Sequence, residues 1–270
     1  MNKGIHELKK RSALTALLAV SVCLAVTFTA CSSDEKAVDP LAIEVGTVLS
    51  EVSPESGHDA YDAYFGSFEI PDEIFEEMKG KSFKEDGRIR REELRYLRLL
   101  YVNYDGDTCM GEMVVNAACA DDVVSIFREL YGASYQIKKM VRVDNYYDLV
   151  ETDDDRDTES DDQSIYDDNT SAFNYRAASN NPDALSNHAL GFAIDLNPVE
   201  NPYVFADGTS GGPDAEKYLD RSKATVENHM LADGDICVET FKKYGFTWGG
   251  DWEGDKDYQH FECAEKTEVQ

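Results

Sequence analysis

The chain has 270 residues, 42% of them apolar, and a formal charge of −28. That length and composition describe a globular protein with one sizeable core, or two small ones, and exclude a disordered chain. The acidic balance excludes nucleic-acid binding through a basic patch and docking on an anionic lipid or polymer by charge, while a peptide or small polar substrate stays open.

In chain order the first feature is a targeting pattern. Lys3, Lys9, Lys10 and Arg11 form a positive region, residues 13–28 an apolar stretch, and Thr29-Ala30 a small-residue cleavage point before Cys31. This arrangement resembles a bacterial lipoprotein signal, although Phe28 stands where leucine is usual. The resemblance implies an exported protein held at the bacterial membrane, facing the cell wall, by lipid on Cys31 alone. The apolar stretch is shorter than the ~20 residues a membrane span needs. Export would also let the four later cysteines, Cys109, Cys119, Cys237 and Cys263, pair in any of three ways or remain buried thiols.

Residues 31–65 are expected to be a polar, irregular tether. Pro71 and Gly80 bracket a short helix with Ile70, Ile74, Phe75 and Met78 on one face. Two apolar runs around Asp105-Gly106 predict a β-hairpin. Residues 118–133 carry a helical stripe of Val123, Val124, Ile126, Phe127 and Leu130, closed by Gly132. Residues 135–144 alternate as a strand would. The acidic run 151–168 lacks the glycine and glutamate spacing of an EF-hand and is expected to be a solvated loop. Patterned sequence resumes at residues 173–176. It continues in a buried strand at 191–196, a helix within 213–244 capped by Gly245, a turn at 247–252 and a last strand at 260–263. Without regular β-α-β alternation the fold class is α+β, a small and mainly antiparallel sheet packed with helices.

The chemistry concentrates in two segments, SNHALGFAID at 186–195 and DYQHFE at 257–262. His188, Asp195 and His260 offer two imidazoles and a carboxylate, a set that suits zinc with one open position. Asp257 suits a base that takes a proton from water on that metal. Each residue alone has an ordinary structural reading, a capped aspartate or a hydrogen-bonded core histidine. Together they point to a site.

The SxHxxGxAxD pattern, followed at long range by a carboxylate-x-x-His, resembles the VanY-type D,D-carboxypeptidases and the related L-alanyl-D-glutamate endopeptidases. The likeness extends over roughly residues 90–264 through FNYR, WGGDW and DYQHFE. It implies a Hedgehog/DD-peptidase-like fold over residues 66–270. It also implies a Zn2+ ion on His188, Asp195 and His260, and Asp257 as acid/base. Arg176 would stabilise the scissile carbonyl as it becomes an oxyanion, and Ser186 would lie near the bound peptide. The aspartate base and WGGDW look more like the endopeptidase branch. The expected substrate is a peptidoglycan stem peptide, and nothing in the pattern points to an oligomer. The rivals are a non-catalytic cell-wall-binding lipoprotein with a structural metal, and a metal-free glycan hydrolase.

Overall fold

The computed structural model describes residues 38–150, 156–178 and 181–263. The first regular elements are short: α1 (His58–Tyr61), β1 (Gly66–Phe68) and α2 (Asp72–Met78). Asp72 and Glu73 sit in the first turn of α2, where the positive end of the helix favours them. Phe75 and Met78 bury the expected face together with Ile70. The chain then forms the predicted hairpin, β2 (Leu94–Val102) with β3 (Thr108–Asn116), in continuous antiparallel register from Leu94↔Asn116 to Val102↔Thr108. Asn103 closes the turn by accepting from the backbone N–H groups of Asp105 and Asp107. β1 adds to the outer side of β2.

Helix α3 (Ala120–Gly132) buries all five residues of the predicted stripe. Residues 135–142 do not form a strand. Their backbone bonds alternate between the hairpin, as in Ile137 N to Val102 O, and side chains, as in Lys138 N to Asn197 Oδ1 and Val141 N to Asn169 Oδ1. With asparagines taking ladder positions, no continuous pairing develops.

The acidic run is a correction to the expected solvated loop: residues 156–166 of it form helix α4 (Arg156–Tyr166). Residues 151–155 lie outside the described part. Ser160 and Ser164 face inward, and Arg156 binds the Tyr147 carbonyl from the start of the helix. Beyond it come β4 (Ala177–Ala178), β5 (Asn181–Leu185), β6 (Ala193–Asp195) and β7 (Tyr203–Val204). The helix expected within 213–244 is confined to α5 (Ile236–Lys243), because the Asp235 side chain caps the Cys237 N–H and starts it there. The chain ends in β8 (Phe246–Trp248), β9 (Lys256–Asp257) and β10 (His260–Cys263).

Every strand pair is antiparallel, so the α+β reading holds. Besides the sheet β1-β2-β3 there is a second, β6-β10-β8, with β10 in the middle, and two small pairs, β4-β5 and β7-β9. One apolar core joins the sheets to α3 and α5: Leu97, Leu99, Phe127, Ile194, Phe241 and Phe261 all belong to it. A second cluster, with Phe75, Phe83, Tyr96, Val114 and Phe173, covers the other face of the hairpin. The hairpin is therefore buried on both faces, and its polar side chains need partners. Fully buried Arg98 donates to Tyr96 Oη at 2.9 Å, and Tyr96 donates to Glu112 at 2.7 Å.

The expected tether over 31–65 does not hold for residues 38–65. Leu49, Val52, Tyr61, Tyr64 and Phe65 are core residues, and Arg98 donates to the carbonyls of Pro40 and Ile43. Polar composition hid this, because the anchoring is by backbone carbonyls as much as by apolar side chains. All four later cysteines are buried as thiols. Among the described residues no helix is long and apolar enough to cross a membrane. The targeting segment 1–30 and Cys31 lie outside them.

Candidate metal and catalytic site

β10 pairs with β6 so that His260 stands opposite Asp195. On the other side of β6, Asp195 exchanges both backbone bonds with Ser171, at 2.8 and 3.0 Å. That segment places the Ala172 carbonyl 2.7 Å from His188 Nδ1. His188 itself is carried by a tight turn before β6. Ser186 Oγ accepts the His188 N–H at 3.1 Å, and Gly191 closes the turn with φ +75. A Cβ on Gly191 would lie 2.5 Å from the Asn116 backbone nitrogen, so only glycine fits between this turn and the hairpin.

These elements bring His188, Asp195 and His260 together as a buried cluster. His188 Nε2 is 3.2 Å from His260 Nδ1 and 3.3 Å from Asp195 Oδ2, and His260 Nδ1 is 3.0 Å from Asp195 Oδ1. A tetrahedral ion with ligand bonds near 2.0–2.1 Å has edges of about 3.3 Å, so the two ring nitrogens and the two oxygens of the Asp195 carboxylate stand close to the separations one zinc requires. The outer nitrogens are occupied as metal-binding imidazoles need. His188 Nδ1 meets the Ala172 carbonyl, and His260 Nε2 meets Glu262 Oε2 at 3.4 Å, which leaves Nε2 and Nδ1 for an ion. Asn187 donates to the same Glu262 oxygen.

The charges in the cluster act strongly on one another. Burial opposes charge on both Asp195 and His260. For Asp195 the two imidazoles outweigh burial and hold the carboxyl well below the usual range. For His260 the hydrogen bonds that it donates to Asp195 and Glu262 outweigh it and push the imidazole up to about 10. A metal must displace that proton to bind.

Asp257, on β9, lies beside the cluster and feels His260, Asp195 and His188. Burial pushes its carboxyl up to about 7, and its Oδ1 is buried without a hydrogen-bond partner. An orphaned buried oxygen of this kind awaits a proton, a water or a ligand. The turn at Gly249–Asp251 holds Asp257 from behind: a Cβ on Gly249 would lie 2.4 Å from the Asp257 carbonyl oxygen. The WGGDW pattern is thus the back wall of the carboxylate. Trp248 is core and binds the Tyr258 carbonyl through Nε1 at 2.8 Å. The Trp252 ring centroid lies 5.4 Å from that of His260.

Arg176 is next to the same group. Its charge interacts with Asp195 and Asp257, its Nη2 pairs with Asp161 at 3.0 Å, and its Nε is buried without a partner. Burial disfavours the guanidinium charge, but Asp161 and Asp195 more than compensate. Among the described residues, those expected from the sequence at the site are therefore in one place; Cys31 lies outside the described residues. Glu262 and Asp161 were not foreseen. Glu262 was legible, two positions from His260 on a strand and hence on the same face. Asp161 carried no signal among so many acids.

Residues 179–263 match the protein family described as D-alanyl-D-alanine carboxypeptidase. No curated protein and no solved structure matches the chain. The match covers less than a third of the sequence, but it contains His188, Asp195, Asp257 and His260. Over that stretch the chain is similar to this family, which supports a peptidase of the D-alanyl-D-alanine carboxypeptidase type.

Proposed function

We propose that this protein is an exported, lipid-anchored zinc peptidase that cleaves peptidoglycan stem peptides. The observation that carries the reading is the triangle of His188 Nε2, His260 Nδ1 and Asp195 carboxylate oxygens, 3.0–3.3 Å on a side, with Asp257 beside it. His188, His260 and Asp195 would hold the ion, which supplies Lewis-acid chemistry at its open position. Asp257 then takes a proton from the attacking water and passes it to the leaving amine. Arg176 offers its unpartnered Nε–H to the carbonyl oxygen as charge develops there. Ser186 keeps His188 in place through the His188 N–H.

The bond cleaved is D-Ala–D-Ala or L-Ala–D-Glu. The family match favours the first, while the aspartate base and the WGGDW wall favour the second. The test is to measure metal content for the chain from residue 32 and for its His188→Ala variant. Each is incubated with a stem pentapeptide and the products are weighed. The wild type should hold about one zinc per chain and cleave the peptide, the variant neither, and the fragment masses name the bond. A wild type that binds zinc and leaves the peptide intact sinks the peptidase reading.

A further inference from the structure

The acidic helix α4 is not consumed by the chemistry above, yet it sends one side chain to the site. Asp161 accepts from two donors at once: Arg176 Nη2 at 3.0 Å on Oδ2, and Asn174 Nδ2 at 3.1 Å on Oδ1. Asn174 is almost fully buried and is held in turn by the Tyr147 hydroxyl, 3.0 Å from its Oδ1. The same hydroxyl proton is shared with Asp157 Oδ1 at 3.1 Å, one turn earlier on α4, and Asp157 pairs with Lys84 at 2.8 Å. Both carboxylate oxygens of Asp161 are thus engaged, and it is fixed from behind by buried groups. It is a built partner rather than a surface acid that happens to lie near an arginine.

The consequence falls on Arg176. A guanidinium on a four-bond stem has many rotamers, and ordering it costs entropy each time it must meet a substrate. Asp161 holds one terminal nitrogen, while Nε stays buried and unpartnered within reach of the fields of Asp195 and Asp257. A buried N–H without an acceptor is unfavourable unless something fills it.

We infer that Asp161 of α4, backed by Asn174 and Tyr147, is the positioning residue that presents Arg176 to the substrate oxygen. The inference rests on the proposed peptidase reading for the identity of that oxygen. It gives the acidic run a task that its composition conceals: Asp161, one of its many carboxylates, is structural to the site.

The test compares Asp161→Asn, Arg176→Ala and the double variant in the zinc-loaded protein, with the stem pentapeptide. Asp161→Asn keeps the size of the side chain, and its thermal melt and zinc content should match the wild type. Its kcat should fall between roughly 10-fold and 100-fold, with KM changed much less. The double variant should be no slower than Arg176→Ala alone, because Asp161 acts only through Arg176. An unchanged kcat in Asp161→Asn, or losses that multiply in the double variant, would overturn the inference. A second readout needs no turnover: the arginine side-chain NMR signals of Arg176 should be sharp and slowly rotating in the wild type and averaged in Asp161→Asn. Signals that stay ordered in the variant count against positioning. A wild type that cleaves nothing while the signals behave as expected removes the proposed substrate and keeps the positioning.

Discussion

Asp257 shows how a single carboxylate is prepared by its surroundings. In water it would be ionised and a weak base, whereas burial here pushes it up to about 7. An Asp257→Asn variant should keep its zinc, since the ligands are other residues, and lose at least about 10²-fold in hydrolysis. Metal analysis beside the rate assay checks both halves, and retained hydrolysis rules out Asp257 as the base. The glycines around it are as specific. Gly191→Ala forces a side chain into the left-handed region and against the Asn116 backbone. The loss should be about 2–4 kcal/mol, read by denaturant unfolding. Gly249→Ala presses on the Asp257 carbonyl instead. It should cost activity through the displaced base before it costs much of the fold.

At the scale of elements, the site is an agreement between two strands and the segment beside them. β10 and β6 set His260 against Asp195 in register, and the Ser171–Phe173 segment ties β6 to β3 through Phe173 N and the Val114 carbonyl. Glu262 on β10 orients His260, so Glu262→Gln should weaken zinc binding by roughly 10-fold, measured by competition with a chelating dye. An unchanged affinity means that the strand alone orients the ring. The N-terminal segment belongs to this scale too. Arg98 is 1% exposed and takes its acceptors from Pro40 and Ile43. A chain that starts at residue 66 leaves that guanidinium without them. It should be less stable than one starting at residue 38 by at least ~3 kcal/mol, or fail to fold, as calorimetry of the two would show. Equal melting curves would restore the tether.

For the whole molecule, pH and the proposed metal would act through the same cluster. His260 is raised in the folded chain, so without metal its pairing stabilises fully below its unfolded value of about 6.5 and is lost as pH rises towards about 10. Asp257 is a raised acid, so its ionisation costs the fold stability as pH rises from near 4 to about 7. Both effects make the metal-free protein weaker at higher pH. Zinc held by the cluster would replace the proton on His260 and compensate both carboxylates, so its binding should strengthen as pH rises. The rise in Tm on adding zinc should therefore be larger at pH 8 than at pH 5.5, as scanning calorimetry with and without chelator would show. An increment that shrinks with pH would mean that the metal binds elsewhere.

The sequence by itself determined helix α3, the β2–β3 hairpin and the candidate residues of the site. The stripe of α3 is read from its period of 3.6, and the hairpin and the strand at Asp195 from apolar runs, those of the hairpin flanking an Asp-Gly turn. His188, Asp195, Asp257 and His260 stood out because two of only five histidines fell in patterned segments. Tertiary structure decided what periodicity cannot carry. Residues 38–65 pack because Arg98 captures their carbonyls, and a carbonyl has the same chemistry in every residue. Residues 135–142 miss a ladder because distant asparagines take its bonds. Asp161 differs from its acidic neighbours only in facing Arg176 and Asn174. A long-range contact between polar groups leaves no period in the chain, so it becomes visible only once the fold has brought both ends together.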